Sequence, residues 1–83
     1  MTYTLRLCRL DPRPGRGWVV YARPAGEARE LSGRRLPADV RAACGITGER
    51  KYAPDDAPGR MGMVRDHQAS YYRETYRGTL TVP

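Results

Sequence analysis

A chain of 83 residues with 14 Arg, one Lys and nine acids carries a net charge of +6 and has room for one small domain. Its large aliphatics, six Leu, five Val and one Ile, make up about 14% of the sequence, below the roughly 20% under which charged chains become disordered; one Trp, six Tyr and local apolar patterning argue for a folded but marginal core. The longest apolar run is the five residues 18–22, and Arg6 and Arg9 interrupt the first ten positions, so neither a membrane-spanning helix nor a signal peptide is read here.

The first element is "TYTLRLCRL", residues 2–10, in which Tyr3, Leu5 and Leu7 alternate with Thr4, Arg6 and Cys8 at the period of a half-buried strand. "DPRPGRG" then reads as a loop by its turn chemistry, and "WVVYAR" as a β-branched and aromatic second strand. A tight turn at "PAGE" leads to a weaker third strand, "EAREL", which Ser32 and Gly33 stop. In "LPADVRAACG", Pro37 suits a first helical position, Asp39 the first turn and Gly45 the left-handed stop, which predicts a short helix over 37–44. Residues 46–63 are the least organised stretch, with a brief strand at Glu49 to Tyr52 and a loop at "APDDAPG".

For the last stretch, "SYYRETYRGTLTVP", two readings compete. A helix would be capped by Asp66, share Ala69, Tyr72 and Tyr76 on one face and end at Gly78, but it would set Arg73 against Arg77 and rest on poor helix formers. A strand is preferred. It puts Tyr72, Tyr76, Leu80 and Val82 inside and Tyr71, Arg73, Thr75, Arg77, Thr79 and Thr81 outside, at the cost of Glu74 on the inner side, with Gly78 marking a bulge or bend. The expected fold is therefore α+β: a small, mostly antiparallel sheet of three to five strands with one short helix on its apolar face, in a single domain over 1–83.

No residue pattern points to catalysis or to a cofactor. Cys8, Cys44 and His67 could form a nucleophile and base, yet Cys44 falls at a helix C-terminus, where the dipole disfavours a thiolate, and Cys8 falls within a strand. Two buried thiols and a surface histidine are the plainer reading. The three also lack zinc-site spacing, and the adjacent Asp55 and Asp56 read as a solvated turn, so no metal is expected. The glycines of "GRGWVV" precede a strand, not the helix that a phosphate loop needs.

What remains is a composition for binding. Basic charge favours acidic protein surfaces or nucleic acid, although Arg in place of Lys also follows from GC-rich coding, and the longest basic runs are only the pairs Arg34–Arg35 and Arg50–Lys51. On the strand reading Tyr71, Arg73, Thr75 and Arg77 form a solvent-facing row, to which Trp18 and Arg60 would add. We expect a non-enzymatic cytoplasmic protein that docks by this row onto an acidic protein surface, as an inhibitor or accessory subunit of a larger, nucleic-acid-processing complex, with a homodimer as a further way to bury area. A phage or mobile element is the expected source of such a chain. Direct nucleic-acid binding by tyrosine stacking and arginine–phosphate contacts is the alternative.

Overall fold

The computed structural model describes residues 1–9, 15–68 and 74–83. Alternation along Thr2–Arg9 makes the central strand β1, which pairs antiparallel on one side with β2 (Val19–Pro24) and on the other with β5 (Glu74–Thr81). Two-residue strands close the flanks, β3 (Leu31–Ser32) on β2 and β4 (Val64–Arg65) on β5, giving the order β3-β2-β1-β5-β4 with every pairing antiparallel. The described part of the last stretch is thus a strand. Residues 69–73, where Tyr71, Tyr72 and Arg73 fall, lie outside the described residues.

Period-two alternation sorts the sheet into two faces. The inner one carries Tyr3, Leu5 and Leu7 of β1, Val20 and Ala22 of β2, and Tyr76, Leu80 and Val82 beside them. Onto it pack Leu36, Val40, Cys44, Ile46 and Ala57, from α1 (Ala38–Ala43) and its flanks and from a second short helix, α2 (Ala57–Arg60). Pro37 is the N-cap of α1, one position earlier than expected. Gly45, at φ +78°, ends the helix in a Schellman arrangement: its amide donates to the Ala42 carbonyl (3.1 Å), and that of Ile46 to Arg41 (2.9 Å).

Four local expectations change. The third strand shrinks to Leu31–Ser32, because Glu30 is drawn to Arg6 and the alternating charges before it are exposed. Glu49 to Tyr52 is a tied loop with no strand, and the next residue, Ala53, bridges Trp18. Within "APDDAPG" α2 begins, at Ala57, since proline is tolerated in a first helical turn. Gly78 pairs in register with Leu5 and makes no bulge; a Cβ there would meet Met63 Cγ at 3.0 Å, so it makes room for that side chain.

Candidate binding surface

The outer face of the sheet is polar by construction, because the other half of each alternating pattern supplies Thr, Arg and Tyr. Register brings Tyr21, Arg6, Arg77 and Val64 into one row across four strands, with Thr4, Thr79 and Arg23 in the next. Both α-helices contribute to the core on the opposite side.

Arg6 organises this face. Its guanidinium lies 4.3 Å from the centroid of the Tyr21 ring, a cation–π contact, and donates to both carboxylate oxygens of Glu30 at 2.8 and 3.2 Å. A third donor, Nη1, reaches Cys8 Sγ at 3.3 Å. The bond from Arg6 holds the Glu30 carboxyl below its ordinary range, and the charges of Arg6, Arg77 and Arg23 add to the effect. Only Arg6 bonds Glu30; Arg77 and Arg23 act on it through their charge alone. Arg77 also donates from Nε to Asp66 at 2.7 Å, and Arg23 to the Glu27 carbonyl at 3.1 Å. Val64, 71% exposed, sets a large apolar side chain beside Arg77.

Of the sequence-predicted row, Arg77 is exposed on this face as expected, and Tyr71 and Arg73 lie outside the described residues. Thr75 does not face solvent. It has the outward parity, but it sits opposite the buried Cys8, donates its hydroxyl to Cys8 Sγ at 3.5 Å and is itself buried. Trp18 is likewise core: its indole Nε1–H donates to the Asp55 carbonyl (3.1 Å), the Arg9 guanidinium covers its face at 4.1 Å, and Tyr76 meets it edge-on at 5.3 Å.

Around Trp18 lies a second feature. Arg9 and Glu74, cross-strand partners on the inner face, form an ion pair at 3.3 Å, and Arg9 also approaches Asp55 at 3.7 Å. Glu74, the apparent fault of the strand reading, is thereby matched. An open cleft of about 530 Å³ lies against Arg9, Trp18, Glu74, Tyr76 and α2, with the exposed Arg60 on its rim, 3.9 Å from Asp56. Its Arg9 charge is already met by two carboxylates.

Both cysteines are free and buried, and burial pushes the Cys44 thiol up to about 11. His67 is exposed. No group of three His, Cys, Asp or Glu side chains is gathered for a metal among the described residues, and none of the described helices is long and apolar enough to cross a membrane. The sequence reading missed Arg6, Tyr21 and Arg23. The signal was present: once β1 and β2 are paired antiparallel, residues of outward parity on the two strands must be neighbours.

Compared with family models, with characterised proteins and with solved structures, the chain matches none. Fold and surface define a small antiparallel α+β protein whose outer sheet face is organised by arginine.

Proposed function

We propose that this is a non-enzymatic binding protein that docks its outer sheet face onto an acidic patch of a protein partner, as an inhibitor or accessory subunit. The observation that carries the reading is the cross-strand row of Tyr21, Arg6 and Arg77 with Arg23 alongside: Arg6 already grips one carboxylate, that of Glu30, with two donors, the posture in which it would hold a partner's Asp or Glu. Arg6 is stacked and doubly bonded before any partner arrives, so little side-chain entropy remains to be lost there on docking. The neighbouring Val64 and Tyr21 add the apolar and aromatic area typical of interface centres. A protein partner suits this face better than a phosphate backbone, because Glu30 and Asp66 sit among the arginines and would repel phosphates.

The test is affinity capture from the native host with nuclease present, followed by binding measurements on the captured protein. One partner should survive nuclease, and Arg23→Ala with Arg77→Ala should weaken it by about 2 kcal/mol or more while the fold persists. Loss of every partner on nuclease treatment, or undiminished binding by the double variant, would remove the sheet face from consideration.

A further inference from the structure

The loop after α1 is tied down along its length. Arg41 donates from Nη2 to the carbonyls of Gly48 (3.0 Å) and Arg50 (3.2 Å), the Arg50 amide closes a turn on the Thr47 carbonyl (3.1 Å), and Ala53 and Trp18 exchange two backbone hydrogen bonds of 2.9 Å. The loop thus presents Arg50, Lys51 and Tyr52 in a fixed frame. All three are exposed, and Tyr52 shows 50% of its surface, the most of any described tyrosine. Arg16 comes alongside from the Gly15–Gly17 turn, and the four side chains border an open trough of about 430 Å³.

Charge in the trough is one-sided. Arg50 and Lys51 have no ion-pair partner among the described residues. The one acid in the wall, Asp55, accepts from the amides of Gly15 and Gly17 and lies 3.7 Å from Arg9; these contacts, the amides first, hold its carboxyl below the ordinary range. Its charge is met from within. The trough is left with the charges of Arg50 and Lys51 beside an exposed aromatic ring.

We propose that this trough binds a single strand of nucleic acid, with backbone phosphate on Arg50 and Lys51 and a base stacked on Tyr52. A strand fits better than a free nucleotide because the Gly15 and Gly17 amides are already bonded to Asp55, so the backbone cradle of a closed phosphate site is missing and only side chains on an open surface remain. It fits better than a duplex because stacking needs a base face that pairing hides. It fits better than an acidic peptide because a peptide carboxylate would use the cations and leave Tyr52 idle. The site is separate in its residues from the sheet face and does not rest on the docking proposed above.

The experiment is fluorescence anisotropy with a labelled oligothymidylate of about 15 nucleotides, a length within the range that single-strand sites cover. Arg50→Ala with Lys51→Ala should weaken binding and make the slope of log K against log salt shallower by about 1.4, which is about 0.7 for each lost phosphate contact. Tyr52→Ala should cost about tenfold in affinity, and Tyr52→Phe should restore it. Arg23→Ala with Arg77→Ala, on the sheet face, should leave the oligonucleotide affinity within about twofold. The proposal is overturned if Tyr52→Ala binds like the parent, if the annealed duplex binds as tightly as the strand, if thymidine monophosphate competes at the concentrations that serve the oligonucleotide, or if polyglutamate displaces it equally well.

Discussion

At the scale of single residues, Gly17 and Asp55 hold the corner against which the loop of Arg50, Lys51 and Tyr52 is set. Gly17 has φ +74°, and a Cβ there would fall 2.6 Å from the Ala53 carbonyl oxygen, the acceptor of the Trp18 amide. Gly17→Ala therefore meets backbone and a left-handed dihedral at once, and it should lower stability by about 2 kcal/mol in urea unfolding. An unchanged midpoint would mean that the bridge is dispensable. Asp55 makes a pH prediction. Its folded carboxyl titrates below the ordinary value of 3.8, chiefly because the Gly15 and Gly17 amides donate to the charged form. The stability it supplies is thus fully present above 3.8 and is lost as pH falls through the lowered value. Asp55→Asn should be less stable than the parent at neutral pH, and the two should converge in acid; a gap that stays constant from pH 7 to about pH 2 would contradict the linkage.

At the scale of elements, one ion pair and one helix decide how the layers are joined. Arg9 and Glu74 face each other across β1 and β5 on the inner side, with side chains 17% and 23% exposed. Removing Arg9 strands the Glu74 carboxylate, and removing Glu74 leaves Arg9 only its looser contact with Asp55 at 3.7 Å. Arg9→Met or Glu74→Leu should each cost about 2 kcal/mol, and the pair together should cost clearly less than the sum, which a double-mutant cycle in denaturant measures. Strict additivity would show that the two charges are solvated separately. The helix α1 is reported by Cys44, buried at its C-cap with its thiol near 11. Neither thiol should react with iodoacetamide at pH 8 without denaturant, since both are buried; reaction at the rate of a free cysteine would mean that the helix does not stay docked.

Why some elements were legible in the sequence and others not follows from the same residues. β1, β2, β5 and α1 carry their own evidence: alternation in "TYTLRLCR", a β-branched run in "VVYARP", and Pro37, Asp39 and Gly45 in sequence. By contrast β3, β4 and α2 are two to four residues long, too short to have a period; β3, read as longer, and β4 exist because β2 and β5 template them. Glu74 misled because a charge on an inner face is legible only once Arg9 is known to oppose it. Trp18 and Thr75 looked like surface because exposure depends on what arrives from elsewhere in the chain, here Arg9 and Tyr76 for the one and Cys8 for the other. The Tyr52 loop was passed over because its rigidity comes from Arg41, nine residues before Arg50, and no local pattern records that bond.

At the scale of the whole molecule, composition and architecture pull in different directions. So few aliphatics suggest a chain near disorder, yet the radius of gyration is 11.9 Å, against about 12 Å expected for a folded chain of this length. Tyr3, Trp18 and the half-buried Tyr76 make up the shortfall, which leaves a folded protein with little stability in reserve. Binding should then be visible as stabilisation. A ligand at about 100 times its Kd adds about 2.7 kcal/mol, and for a domain of this size each kcal/mol raises Tm by about 4–8 °C, so a saturating partner should shift Tm by about 10–20 °C. The two proposed surfaces use different residues, so their shifts should add: Arg23→Ala with Arg77→Ala should abolish only the shift from the protein partner, and Arg50→Ala with Lys51→Ala only that from the oligonucleotide. A homodimer would declare itself without either ligand, as a Tm that falls on dilution of the protein alone. Calorimetric scans over a dilution series, with each ligand and with both, separate these cases. A high Tm that ignores protein concentration and both ligands would mean that the core suffices by itself, and both binding surfaces would then be ordinary solvated ones.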